Sequence, residues 1–382
     1  MSEWRDTNLG EVLEIKYGKD HKHLATGKIP AYGSGGVMRY VDNALYDDES
    51  ILIPRKGSLN NIIYESKPFW TVDTMFWSKI DKTLAYPKFL FYQLTEIDYM
   101  NLNVGSAVPS LTVPVINAIE ISLPPLEEQK AIASVLSSLD DKIDLLHRQN
   151  TTLERMAEIL FRQWFVEEVQ EDWEEAKLGD VADNIRKSVQ AKDIQATTKY
   201  IGLEHIDRRN IALKQYGIGE DVSSNKYAFE KNDILFGKLR PYFHKVCFSS
   251  FSGICSTDIL VIRPKSPNFF ALCLFAFFQN DVVEYANLGS GGTRMPRTDW
   301  ETLKQYPISI PDKNTLLEFN SVALPAISKI TENLAQIQTL EKLRDNLLPK
   351  LMSGEVRVLV GADCIRPAQQ QGRMQCAPTD NA

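Results

Sequence analysis

The side chains in this 382-residue chain best suited to chemistry are basic and amide groups gathered on glycine-containing loops. Arg55, Lys56, Ser58, Asn60 and Asn61 lie between two apolar runs, ILIP (51–54) and IIY (62–64). Lys238, Arg240 and Tyr242 follow the apolar run ILFG (234–237), and Thr293, Arg294 and Arg297 follow the glycines at 289–292. Arg39 and the pair Arg186-Lys187 complete the set. Arg, Lys, Asn and Gln can bond base edges, while Arg, Lys, Ser, Thr and backbone N–H groups hold phosphates. These residues are therefore the expected DNA-binding set. Plain surface charge competes with that reading at any single position. The loops 55–61, 237–244 and 290–297 favour binding as groups, because each joins glycine to basic and polar residues.

Catalysis has no comparable signal. GxxxxGK[ST], HExxH and GxSxG are absent, and no GxGxxG sits in a strand–turn–helix frame. GSGG occurs twice, at 33–36 and 289–292, and reads as turn glycine. The five histidines have no evident metal-ligand partners, and the five cysteines, odd in number, form no CxxC. No catalytic residue, metal site or cofactor is expected in this chain. Reduced cysteines, no signal-peptide pattern and no run of eighteen apolar residues point to a cytoplasmic protein that does not enter a membrane. The net charge of −7 excludes simple coating of nucleic acid. The excess is concentrated on the first body and first helix, and the second body is slightly positive.

Positioning these loops requires rigid elements, and residues 121–165 supply the clearest one. After Pro124-Pro125 the chain runs more than forty residues without Gly or Pro. Leu139, Ile143, Leu146, Asn150, Leu153 and Leu160 repeat at spacings of four, three and seven, the seam of a helix packed lengthwise on another. Such a helix is about 60 Å long. Asn150 is expected to set register within the seam. Phe161, Trp164 and Phe165 are expected to pack on the second body or to dock a further subunit.

A second copy follows at a constant offset of 187, relating Ile121 to Ile308, Pro124 to Pro311, Leu153 to Leu340 and Leu160 to Leu347. Its seam residues are Ile330, Ile337, Leu340 and Leu347. The repeat reaches back to Trp4 with Leu9-Gly10 and to Trp173 with Leu178-Gly179, where the offset is only 169. The second body has therefore gained about eighteen residues. Pro325 interrupts the second helix, and interior proline costs about 3 kcal/mol. A short helix at 313–323 and a main helix from about 325 are expected.

The fold class is then α+β: two duplicated bodies of mixed α/β structure and two long helices in an antiparallel, pseudo-two-fold coiled coil. The boundaries are 1–124 for the first body, 125–170 for the central helix, 171–311 for the second body, 312–354 for the distal helix and 355–382 for a disordered tail. Strands are expected near 28–42, 50–64, 68–80, 228–248 and 253–265, with helices near 86–102 and 268–288. Trp70, Phe76 and Trp77 are expected in the core.

LPPLEEQKAIASVLSSLDDKIDLLHRQNTTLERMAEILFRQWF resembles the central conserved region of the specificity subunits of Type I restriction-modification systems, and LEKLRDNLLPKLMSGEVRV resembles their distal region. PRKGSLNNIIY with PFWTVDTMFW, and ILFGKLRPYF with STDILVIRP, look like their two target-recognition domains. The resemblance covers residues 1–357. It implies that each body reads one half of a split double-stranded DNA target and that the helices set the spacing. It also implies two methyltransferase subunits docked on the helices, with restriction subunits joining them. S-adenosylmethionine, ATP and Mg²⁺ would belong to those partners, leaving this chain a non-catalytic recognition subunit. The alternatives are the recognition part of a Type IIB-like system and a protein scaffold that does not touch DNA.

Overall fold

The structure is a computed structural model that describes residues 4–291, 295–358 and 365–367. It divides into two compact units, 1–142 with 340–382, and 143–339. Each unit holds one body and part of both long helices.

In the first unit β1 (Arg5–Asn8) pairs antiparallel with β9 (Glu120–Leu123), closing the body next to its helix. Between them run β2 (Leu13–Tyr17), β3 (Thr26–Gly33), β4 (Gly36–Val41), β5 (Ser50–Pro54), β6 (Ile63–Glu65), β7 (Trp70–Thr71) and β8 (Met75–Ile80). The short helices α1 (Pro87–Thr95) and α2 (Val113–Asn117) follow β8. One sheet has the order β2-β8-β5-β6 and the other β4-β3-β7, with β3 and β7 parallel. The stretch 68–80 is interrupted between Thr71 and Met75 and serves both sheets. Trp70, Phe76 and Trp77 are buried.

The chain then enters α3 (Leu126–Arg162), continued by a π-helical turn at Gln163–Glu167. In the second unit β10 (Glu174–Lys177) leads through the short α4 (Leu178–Val181) to β11 (Ala182–Asn184) and β12 (Ser188–Val189). Next come β13 (Lys199–Ile201), β14 (Gly217–Ile218), β15 (Lys226–Phe229), β16 (Ile234–Gly237), β17 (Val246–Phe248), β18 (Gly253–Cys255) and β19 (Ile259–Pro264). Helices α5 (Phe270–Phe277), α6 (Asn280–Leu288) and α7 (Trp300–Leu303) precede β20 (Pro307–Ile310), which pairs with β10. The sheet orders are β11-β19-β16-β17 and β12-β15-β18-β13-β14.

The first of these sheets repeats β2-β8-β5-β6 strand for strand. In the second, the parallel pair β13/β18 matches β3/β7. Ala31 pairs with Trp70 and Tyr200 with Ile254, so the offset is 169 on the first strand and 184 on the second. Most of the extra length therefore lies after β13, around residues 202–225.

Three expectations need correction here. The single strand at 68–80 is β7 and β8, and that at 253–265 is β18 and β19, each pair divided between different sheets. The single helix at 268–288 is α5 and α6, bent by 68°. Every residue of α5 is buried, and Gln279, in extended conformation, turns the chain so that Val282 and Val283 enter the same core. No single described helix is long and apolar enough to cross a membrane.

After β20, α8 (Lys313–Met352) runs unbroken through Pro325, contrary to the expected separate helix at 313–323. Pro325 is exposed, so water can bond the Ser321 carbonyl that loses its helical partner. Leu316, Phe319, Ala323, Ala326, Ile327 and Ile330 hold the buried face on both sides of it. Burial thus outweighs a local cost of about 3 kcal/mol.

The helices run antiparallel within each unit. In the second, Phe161 meets Phe319 and Asn150 meets Asn333; in the first, Asp140 meets Arg344, and Glu128 at the start of α3 meets Arg357 just past the end of α8. Of the seam residues, Ile143, Leu146, Asn150, Ile330 and Ile337 are buried, and Leu139, Leu153, Leu160, Leu340 and Leu347 are half-buried. The Asn333 amide donates to Asn150 Oδ1 at 2.8 Å. Phe161, Trp164 and Phe165 pack with Phe319, and Phe165 also meets Trp173, so these aromatics serve the second unit's own core.

Part of the expected tail has structure. β21 (Val356–Val358) pairs with β22 (Ile365–Pro367), and Arg357 is tied to buried Glu128. Positions 359–364 and 368–382 lie outside the described residues.

Candidate nucleic-acid interface

β5 in the first body and its counterpart β16 in the second each end in a basic loop, Arg55-Lys56 in one and Lys238 with Arg240 in the other. Both loops are latched by the same three backbone hydrogen bonds. Arg55 N donates to Thr74 O at 2.9 Å, and Lys238 N to Asp258 O at 2.9 Å. Gly57 N donates to Pro109 O at 2.9 Å, and Arg240 N to Pro296 O at 2.7 Å. Leu111 N donates to Arg55 O at 2.9 Å, and Thr298 N to Lys238 O at 3.0 Å. Each loop is thus fixed to the segment that leads back toward its long helix. Arg55 and Lys238 occupy one position of this frame, Gly57 and Arg240 another.

The frame imposes a left-handed backbone at the latter position. Gly57 has φ +93°, which glycine accepts freely. Arg240 has φ 52°, a conformation that carries strain for a residue with a Cβ. Strained backbone of this kind collects at ligand-binding sites. His244, at the end of the same loop, also has φ 50°. Burial and the Arg209 charge push the His244 imidazole down to about 4, so it is neutral near pH 7.

In the first body Lys56, Ser58 and Asn60 are exposed. Arg55 lies 5.4 Å from the Tyr17 ring and donates to Asp73 O at 3.2 Å. Asn61 donates to Ser34 O at 2.9 Å, joining the loop to the glycine turn between β3 and β4. Arg39, on β4, is half-buried and donates to Leu24 O at 3.0 Å, a bond that holds its own sheet. In the second body Lys238, Arg240, exposed Tyr242 and Arg297 come together, since Leu239 bridges Arg297. Arg297 is paired with Asp258 at 3.1 and 3.4 Å, which neutralises much of its charge. Arg186 and Lys187 are exposed between β11 and β12, and no described hydrogen bond joins them to the 238–244 loop. Thr293 and Arg294 lie outside the described residues.

Sequence reading missed the frame itself, because the partners Thr74, Pro109, Asp258 and Pro296 act through their backbones. It also missed Arg208 and Arg209, whose signal was an Arg-Arg pair inside the segment gained by the second copy. Cys247, Cys255 and Cys273 are buried thiols. Among the described residues no group of His, Cys, Asp and Glu could hold a metal ion.

Residues 1–155 and 170–344 match the family described as Type I restriction modification DNA specificity domain. The Type I restriction enzyme MjaIX specificity subunit of Methanocaldococcus jannaschii is 26% identical, over 94% of this chain and 97% of that one. The Type I restriction enzyme EcoDI specificity subunit of Escherichia coli is 22% identical, over 91% and 85%. Among solved structures, the Type I restriction-modification system S subunit from M. genitalium superposes with a TM-score of 0.63 at 17% identity, covering 91% of this chain and 96% of that one. Duplicated sequence, duplicated sheets and these likenesses agree, and the chain belongs to the family of Type I restriction-modification specificity subunits.

Proposed function

We propose that this chain reads a bipartite double-stranded DNA target for a Type I restriction-modification complex, one half-site per body. The observation that carries this reading is the shared loop frame with unlike side chains. Arg55 and Gly57 in one body stand where Lys238 and Arg240 stand in the other. Equivalent geometry with different hydrogen-bonding groups suits the reading of two different half-sites. As a specificity subunit the chain supplies recognition and no catalysis. The functional domains in this reading are the bodies 1–124 and 171–311. The helices set the unread gap and dock two methyltransferase subunits, which restriction subunits join in the cytoplasm. S-adenosylmethionine, ATP and Mg²⁺ act on those partners.

The test is long-read methylation mapping in a host carrying this chain with its methyltransferase partner, against a host lacking the chain. A new bipartite adenine-methylated motif with a fixed gap is expected. Removing one heptad from each helix should shorten the gap or abolish the motif. Co-purifying proteins without any motif would favour a scaffold role, and an unchanged gap in the shortened protein would refute the spacing role.

A further inference from the structure

The segment gained by the second body carries Arg208, and its setting differs from that of the surrounding charges. Resting on the reading of this body as a DNA reader, we propose that Arg208 is a further DNA contact, to a backbone phosphate, with Phe243 as its platform. The first body has no counterpart, because its chain between β3 and β5 lacks this segment.

Four bonds hold the segment in place. Arg209 N donates to His244 O at 2.9 Å. The Arg209 guanidinium donates to Asn280 Oδ1 at 2.6 Å and pairs with Glu158 at 3.4 Å. Ile211 N donates to buried Glu154 Oε2 at 3.2 Å. Helix α3, helix α6 and the 238–244 loop thereby fix the backbone immediately after Arg208. Of the four described non-glycine residues with positive φ, Arg209, Arg240 and His244 surround this spot. Such strain persists only where the surroundings over-determine the backbone, and it collects at ligand clamps.

Arg208 itself is exposed, and its guanidinium lies 3.9 Å from the centre of the Phe243 ring. Arg240 lies 6.0 Å from the same ring. One aromatic ring therefore places an inserted arginine beside an arginine of the reading loop. A guanidinium stacked on a ring keeps its N–H edge free, and that edge matches two phosphate oxygens. The nearby charges are otherwise engaged: Glu158 pairs with Arg209, and Asp207 pairs with Lys214 at 3.1 Å. Glu284 lines the same cleft, of about 360 Å³, without an ion pair to Arg208 among the described contacts. The role is sequence-independent, since a phosphate edge is the same at every step.

The experiment uses the complex of this chain with its methyltransferase partners, a duplex bearing the mapped motif and a scrambled duplex, with affinity measured across salt concentrations. For Arg208→Gln the slope of log affinity against log salt should fall by about 0.9, the value for one lost phosphate contact. Affinity should drop equally on both duplexes, the methylated motif should stay the same and the unfolding temperature should not move. Arg208→Lys should restore most of the slope. An unchanged slope, with the wild-type complex still preferring its motif, overturns the Arg208 assignment and leaves the reading of the body intact. Loss of discrimination at one base overturns the phosphate assignment in favour of base contact. A wild-type complex that prefers neither duplex refutes the DNA-reading role itself.

Discussion

Arg240 separates what the fold demands from what recognition demands. Its left-handed backbone is imposed by the bond from its N–H to Pro296 O, as the matching bond to Pro109 O imposes it on Gly57. A residue with a Cβ carries about 1–2 kcal/mol of strain there. Arg240→Ala removes the guanidinium and keeps the strain. Arg240→Gly removes both, although the more flexible unfolded chain offsets about 0.4–1 kcal/mol of the relief. The glycine variant should therefore be the more stable of the two by roughly 1 kcal/mol, which for a unit of this size is about 2–4 °C in unfolding temperature. This reverses the usual order, in which alanine is the more stabilising residue. Both variants should lose the same DNA affinity, about 1–3 kcal/mol if the guanidinium makes a bidentate base contact. Calorimetric unfolding and binding titrations of the methyltransferase complex measure the two quantities side by side. Equal stability of the two variants, or alanine above glycine, would refute the claim that the frame requires a left-handed residue. Retained affinity in both would refute the role of the side chain.

Burial raises the Glu154 carboxyl to about 7. The folded protein therefore holds a proton that the unfolded chain releases between about pH 4.5 and 7, and wild-type stability falls as pH rises through that window. Glu154→Gln should remove this dependence, gaining up to about 3 kcal/mol at pH 8 and nothing near pH 4; parallel thermal melts across pH that left the difference constant would contradict it. Pro325→Ala restores the missing helical bond on an exposed face and should stabilise the protein by about 1–3 kcal/mol, and a lower unfolding temperature would show that Pro325 is needed where it stands.

The repeat, the first long helix and several of the strands were legible in the sequence because each depends on local pattern. Periodicity of apolar residues marks a helix wherever it packs, and a constant offset marks duplication. The difference in offset, 169 at Trp173 and 187 at Ile308, even announced the gained segment, though not where it lies.

Pairing was decided elsewhere. Antiparallel partners share a constant sum of residue numbers, whereas repeat mates share a constant difference. Repeat alignment placed Asn150 against Ile337, while the tertiary structure gives it Asn333. The LPPLEEQ stretch opens the first long helix. In the fold, Glu128 is buried against Arg357, and Gln129 accepts from Tyr86 N at 2.7 Å and donates to Pro124 O at 2.8 Å. Pro325 read as a break, and burial on both sides of an exposed proline overrode it. Composition showed which loops were basic. Only the tertiary structure decided which charges are free, because the partners that engage Arg39, Arg209 and Arg297 are a carbonyl at residue 24, a carboxylate on α3 and an aspartate before β19. These contacts join residues distant in the chain, and no local pattern encodes them.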